Sequence, residues 1–342
     1  MAVPYRTLET LTRNHIIPEV VDQLPTKSPL MERMLKRKRK MTGLKVEQPV
    51  QYAYNPDAGA WRGGYAVMPF STPEFATKAT HEWTHYQVPA VWAETDLIKN
   101  MGEEEVADYA DAIVKNCVDS LMETFGRDLY KDGTANTAGA ATIDGLAAIC
   151  THNSNPSPGN YGDIDRSSST GSKSSYTGNA WWNAQVAACN AGSITRWMGT
   201  FNFSNSSTVI DMRKMNQFFL LFPEEPDAFF TSFALFGRLW DLNQANEKVE
   251  RGNGGRDEYN VGARKIFING KPVYADSHID DEGKIYGLNF NYLFLRVGTD
   301  FEQSAPRVPT RQRVVGRYIF FDGQMTCSRP NNQGVITGAT AQ

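Results

Sequence analysis

Five consecutive residues have the spacing of a zinc peptidase. His81-Glu82-Trp83-Thr84-His85 reads HExxH, a pattern in which two histidines share one zinc and the glutamate activates a water. That chemistry depends on a helix, where positions i and i+4 lie about 6 Å apart on one face. On a strand the same spacing is about 13 Å, which one ion cannot bridge. The flanks here alternate with period two. Thr80, Glu82, Thr84, Tyr86 and Val88 fall on one side, and His81, Trp83 and His85 on the other. Thr, Trp, Tyr and Val favour strands. The expectation is two half-exposed strand histidines and no metal site.

No other stretch carries a reaction. Gly252-Asn253-Gly254-Gly255 lacks the GK[ST] ending of a phosphate loop, and the Arg256-Asp257-Glu258-Tyr259 that follows is no helix start. Asp280-Asp281-Glu282 lacks calcium-loop spacing. Cys117, Cys150, Cys189 and Cys327 stand far apart with no CxxC, which disfavours a disulfide framework or a zinc knuckle. The chain is read as no enzyme, with no catalytic residues, no metal and no cofactor. One charged feature remains, the run Lys36-Arg37-Lys38-Arg39-Lys40. Such a run reads as a nucleic-acid arm, a localisation signal, a partner for an acidic neighbouring surface or, most often, a solvated face. With 35 Lys and Arg against 38 Asp and Glu, net charge −3, the chain as a whole is not a basic nucleic-acid binder.

These residues must be positioned by a chain of 342 residues, long enough for about two domains. At 41% hydrophobic and 21% charged residues, wholesale disorder is excluded. Met1 to His15 contains no apolar core of a signal peptide, and the longest strongly apolar run, Phe218 to Phe222, is too short to cross a bilayer. The expectation is a soluble chain, intracellular at synthesis, with no membrane partner. Isolated cysteines fit a reducing compartment.

Along the chain, residues 1–45 form an extended or partly helical arm, broken by Pro4, Pro18, Pro25 and Pro29. It must lie on something else or stay mobile. Residues 46–98 read as a long two-stranded hairpin. Val46, Val50, Tyr52 and Tyr54 keep period two, Asn55 to Gly64 supplies turn chemistry, and Phe75 to Val88 returns. Both faces carry polar groups, so the hairpin has no thick core of its own and must pack on another domain or subunit. Residues 102–131 read as one helix of about 40 Å, with Val106, Ala110, Ile113, Cys117, Leu121 and Phe125 on its apolar face. Residues 134–205 are loop-rich, and 208–222 helical. Ala228–Ser232 reads as a buried strand and Phe233–Asn246 as a helix. The rest is strand-rich, with Gly270-Lys271 turning between two strands and Asp322-Gly323 read as a hairpin turn.

The order of parts, from arm through polar hairpin, long helix and loop-rich α/β region to a strand-rich end, resembles the major capsid proteins of tailed bacteriophages, the Hong Kong 97-type fold. Ile143 to Ile149, Tyr161 to Arg166 and Trp181-Trp182 match in kind. So do Lys271 to Asp276, Ile285 to Asn289 and Tyr292-Leu293. The resemblance spans nearly the whole chain and rests on the ordered set. It implies an α+β, Hong Kong 97-like capsid fold with an N-terminal arm (1–45) and an extended β-hairpin loop (46–98). A peripheral domain with a spine helix (99–138) and an axial domain (139–290) follow, and return strands with a C-terminal tail (291–342) complete the peripheral domain.

The implied function is a coat protein that assembles into pentamers and hexamers, forming an icosahedral head around double-stranded DNA. The implied partners are copies of itself, a separate scaffolding protein, a portal protein at one vertex, a decoration protein, and the packaged DNA through non-specific contacts. The implied location is the virion, after assembly in the host cytoplasm. Trp61, Tyr65, Phe70 and Trp83, with Lys36, Arg37, Lys38, Arg39 and Lys40, are the expected intersubunit contacts, since aromatics dominate interface energetics. Some relatives join subunits by Lys–Asn isopeptide bonds. Here Lys78 is the only lysine between 46 and 98, Asn331 and Asn332 near the end are the candidate acceptors, and no shielding carboxylate is evident, so no crosslink is expected. The alternatives are an encapsulin-like bacterial compartment shell and, remotely, an HExxH metallopeptidase.

Overall fold

The computed structural model describes residues 28–55, 57–60, 64, 67, 72, 74–99, 109–133, 142–150, 160–166, 180–188, 193–196, 199–202, 215, 218, 222–244, 266–279, 283–305 and 313–338. The chain divides into two compact units. One includes Tyr86–Glu123 and Phe301–Phe320, the other Lys27–His85, Thr124–Asp300 and Phe321–Gln342.

In the larger unit the chain enters through α1 (Pro29–Lys36). Ser28 caps this helix by accepting from the Met31 amide, Pro29 occupies the first turn, and Leu30, Met31 and Met34 are buried. The end of the arm thus packs on its own subunit. β1 (Lys38–Lys40) follows at once and pairs in parallel with β14 (Leu293–Gln303), Arg39 opposite Arg296.

β2 (Val46–Gln51) pairs antiparallel with β3 (Ala76–His81), from Val46 opposite His81 to Gln51 opposite Ala76. This is the expected hairpin. Its inner face, Val46, Val50, Ala79 and His81, is buried, so its base leans on another part of the same subunit. The support is the turn between β5 (Asn160–Tyr161) and β6 (Ile164–Asp165), where Gly162 accepts from the Thr80 amide. A Cβ on Gly162, whose φ is +63°, would lie 2.9 Å from that of Ala79, so only glycine fits here.

The expected continuous return strand is corrected. It breaks at Glu82-Trp83, and β4 (Thr84–Ala93) joins a different sheet with strand order β1-β14-β15-β4. A second correction concerns Asp322-Gly323. Residues Val314–Cys327 form one strand, β15, that runs straight through them. β15 is flanked by β14 and β4, and a Cβ on Gly323 would lie 2.8 Å from the Phe321 ring. The glycine is there for close packing rather than for a turn.

In the smaller unit, α2 (Glu94–Lys99) follows β4, and α3 (Tyr109–Asp128) begins. The expected apolar face of α3 is present, with Cys117 and Leu121 buried. The Cys117 thiol donates to the Pro89 carbonyl, and the Arg313 guanidinium meets Glu94 at 3.0 Å. In the larger unit the same helix continues with Phe125, whose ring stands edge-on to Phe321 at 4.9 Å.

The larger unit also holds an eight-stranded mixed sheet of order β11-β12-β10-β13-β16-β7-β8-β9. Three of its strands, β7 (Gln185–Ala188), β8 (Ser193–Arg196) and β9 (Gly199–Asn202), fall in the stretch expected to be loop-rich. Their short runs of small and polar residues do not announce strands. β10 (Ala228–Thr231) is buried throughout, as expected of a central strand, and α5 (Phe233–Gln244) follows it. β11 (Ile266–Ile268) and β12 (Lys271–Ala275) form the expected hairpin, its turn made by Asn269 and Gly270 with positive φ. β13 (Ile285–Leu288) and β16 (Gly334–Thr337) pair through Gly287 and Gly334. A Cβ on Gly334 would collide with Phe222 and one on Gly287 would crowd Phe218 and Phe222, which belong to the core with Met215, Phe229, Leu235 and Ile336. Among the described residues no helix is long and apolar enough to cross a membrane.

Candidate functional site

His81 closes β3 and is 1% exposed. Its Nδ1 lies 3.2 Å from Asp144 Oδ2, and its ring stands edge-on to Tyr161 at 4.8 Å. His85 is exposed on β4, with Nδ1 2.7 Å from Asp322 Oδ1. Glu82 pairs with Lys45 at 3.0 Å, which raises the lysine's pKa. The three HExxH side chains therefore take three separate partners. The break at Glu82-Trp83 changes the phase between β3 and β4, so one histidine is buried and the other exposed, where both were expected half-exposed. Among the described residues no group of three or more His, Cys, Asp or Glu side chains could hold a metal ion.

Behind His81 lies a buried cluster that sequence reasoning marked only as a resemblance. Arg166 is buried, donates to the carbonyls of Ala148 at 2.7 Å and Ile149 at 3.1 Å, and lies over the Tyr161 ring at 5.0 Å. It thereby serves the C-terminus of the short helix α4 (Leu146–Ile149). Burial lowers its pKa to about 10. The Tyr161 hydroxyl accepts from the Cys327 amide, and Trp182 Nε1 donates to the Tyr161 carbonyl. Burial raises the Cys327 thiol to about 12 and pushes Cys150 up as well. Both thiols stay protonated at neutral pH and are no nucleophiles.

The basic run is largely spent within the chain. Lys36 pairs with Glu32 at 2.5 Å, Arg37 donates to the Phe290 carbonyl, and Lys38 meets Asp300 at 2.6 Å. Arg39 lies over Phe294 at 4.0 Å, and Lys40 is exposed. Trp83 Nε1 donates to the Gly43 carbonyl, and its ring lies against Gly298. Trp61, Tyr65 and Phe70 lie outside the described residues, as do Cys189, Gly252–Gly255 and Asp280–Glu282. Leu44, Tyr54, Val67 and Phe75, on or beside the hairpin, are exposed. Lys78 pairs with Glu47 at 2.7 Å, and Asn332 is buried.

A knot of polar groups around Asp276 was not foreseen. The carboxylate is 1% exposed and accepts from the Ser28 and Tyr130 hydroxyls and from the His278 amide, with His278 Nδ1 at 3.0 Å. Burial alone would raise its pKa, but the hydrogen bonds from His278, Ser28 and Tyr130 outweigh it and hold the carboxyl below its ordinary value. The only sequence signal was Asp276 at the end of Lys271 to Asp276, two residues before His278.

No protein-family model matches the sequence, and no curated protein matches it. Solved structures do. The capsid asymmetric unit of cyanophage A-1(L) covers 99% of this chain and 100% of its own, at a TM-score of 0.68 and 12% identity. The chain has the fold of a phage capsid protein. The capsid of a native GTA particle superposes at 0.62 with 11% identity, over 97% of this chain and 96% of that one. The SrpI encapsulin of Synechococcus elongatus PCC 7942 superposes at 0.58 with 10% identity, over 100% and 98%. At such identities the shared property of the capsid fold is its backbone path. Any site must therefore be argued from the residues of this chain.

Proposed function

We propose that this chain is the major capsid protein of a tailed phage. Copies assemble as pentamers and hexamers into the icosahedral head that encloses double-stranded DNA. The observation that carries the reading is the full-length, two-way coverage with the cyanophage capsid protein. A shared core alone would cover only part of each chain; here the similarity extends over 99% of this chain and 100% of the other. In this reading α3 is the spine helix of a peripheral domain (99–138, returning at 291–342), and residues 139–290 form the axial domain. The hairpin is the extended loop, with Trp61, Tyr65, Phe70 and Trp83 as its anchors on neighbours. The chain performs no catalysis and resides in the virion after assembly in the host cytoplasm. A separate scaffolding protein, a portal protein and a decoration protein are its proposed partners, and contacts with DNA are sparse and sequence-independent.

Exposed apolar residues on and beside a hairpin that is only partly supported by its own subunit fit this use. Ordering them costs entropy that burial on neighbours offsets, and many small contacts add through multivalency. Electron microscopy of the expressed chain, alone and with its neighbouring genes' products, tests the reading. Closed shells or five- and six-membered rings support it, and a monodisperse monomer under both conditions overturns it. The encapsulin similarity favours a second reading, a compartment shell. Co-purifying DNA distinguishes a phage head from a shell holding cargo enzyme.

A further inference from the structure

We propose that Arg39 and Arg296 form a carboxylate-binding fork that receives an acidic side chain from a second copy of this chain. The proposal rests on the shell reading above and names one contact within it.

The two arginines are register partners on adjacent parallel strands. Both guanidinium groups stack on one ring, Arg39 at 4.0 Å from the Phe294 centroid and Arg296 at 5.2 Å. Like charges facing each other across a sheet are destabilising unless something neutralises them. Nothing among the described residues does. Among the described residues, neither arginine has a carboxylate partner, and the one hydrogen bond of the pair runs from Arg296 Nε to Thr326 Oγ1 at 3.4 Å. Burial and the neighbouring Arg39 together lower the pKa of Arg296, as expected of a cation lacking a counter-charge.

A simpler explanation is that charges on an edge strand block unwanted sheet extension. It covers Lys38, Arg39 and Lys40, since β1 is the edge strand of its sheet among the described residues. It does not cover Arg296, which sits one strand inward. Stacking on Phe294 also holds both planar groups in place, which suits them to a planar oxyanion.

The occupant follows from charge. A polyanion such as DNA needs an extended basic track. Here Lys36 and Lys38 are already paired with Glu32 and Asp300, and Asp322 on the same sheet is paired with His85. Lys40 alternates to the other face of the strand, so what remains beside Phe294 is a pair of cations, which one carboxylate satisfies. A second copy carries 38 acidic residues against 35 basic ones. In a shell it is also the molecule most often brought against an open sheet edge.

The test uses particles assembled from full-length chain. Particles of Arg39→Lys chain, built from an equal mixture of 14N- and 15N-labelled subunits, are treated with a zero-length carbodiimide. Mixed-isotope peptides joining position 39 to an Asp or Glu are expected. In parallel, particles of Arg39→Gln/Arg296→Gln chain should dissociate at about half the salt concentration that dissociates wild type. Circular dichroism and thermal unfolding of the dissociated subunits check that the variant is folded. A folded variant whose particles match wild type in salt resistance, with no mixed-isotope peptide at position 39, overturns the proposal while leaving the shell reading intact. Formaldehyde crosslinking of position 39 to packaged DNA, with no link to protein, also overturns it and assigns the pair to nucleic acid. Failure of wild type to assemble at all overturns the shell reading, and this proposal with it.

Discussion

The Ser28 hydroxyl donates to the Asp276 carboxylate, tying the cap of the arm helix to the end of β12 across 248 residues of sequence. The same carboxylate holds Tyr130, just beyond α3, and His278. One buried charge therefore fastens three separate segments. Replacing Asp276 with Ala leaves the buried donors without an acceptor and is expected to destabilise the subunit by about 3 kcal/mol. Urea unfolding of dissociated subunits measures this.

The pH dependence of the same residue has a definite sign. The folded carboxyl lies below its ordinary value of 3.8, so its contribution is complete above that pH and fades as pH falls through the folded value. The stability gap between wild type and Asp276→Asn should be widest near neutrality and should narrow below about pH 3.8. A gap that widens on acidification would contradict the assignment.

The two histidines of the HExxH pattern should behave differently. His81 is buried against Asp144 and Tyr161, whereas His85 is exposed. His81→Ala is expected to cost about 2 kcal/mol, and His85→Ala less than about 0.5 kcal/mol. Thermal unfolding of the two variants compares them. A zinc site would make them equally important and would show as stoichiometric zinc in elemental analysis.

Glycine substitutions separate packing from flexibility. A Cβ at Gly334 would lie 2.7 Å from the Phe222 ring and 2.8 Å from the Gln185 carbonyl oxygen. Gly334→Ala should lose about 1–3 kcal/mol by overpacking. At Gly298 the nearest atom is 3.7 Å away, in the Trp83 ring, and Gly298→Ala should be tolerated. Parallel denaturant titrations give the comparison.

Trp83 tests the hairpin as an assembly element. Its indole donates to Gly43 within the subunit, so Trp83→Ala has a folding cost of about 1 kcal/mol from that hydrogen bond. An interface role adds a loss of particle stability beyond the loss in the dissociated subunit. Scanning calorimetry of particles and of subunits separates the two, and equal losses would remove Trp83 from the list of anchors.

Some of this architecture was written in local pattern. The apolar spacing of Cys117, Leu121 and Phe125 specifies a helix, the apolar run at Ala228–Ser232 a buried strand, and Gly270 a tight turn, which the structure centres on Asn269-Gly270 rather than Gly270-Lys271. In each case the decisive physics acts between residues a few positions apart. The order of such elements carried the resemblance to capsid proteins. The separation of His81 from His85 was partly local too, because alternating flanks ruled out a helix.

Other features were decided only by tertiary contacts. Asp322-Gly323 has the composition of a turn, yet strands on both sides of β15 satisfy its backbone groups, and the glycine admits the Phe321 ring. β7 to β9 lack a strand-like composition and take their place in the sheet by pairing, beginning with β16. The basic run looked like five equivalent cations until the fold paired Lys36 and Lys38 with carboxylates, bonded Arg37 to a backbone carbonyl, and set Arg39 opposite Arg296. Asp276 and Ser28 carry no mutual signal at 248 residues apart. Sequence determined which segments could be helices, strands and turns, because those preferences are short-range. Tertiary structure decided which charges were left unpaired and which glycines were indispensable, because both depend on what the fold brings within a few ångströms.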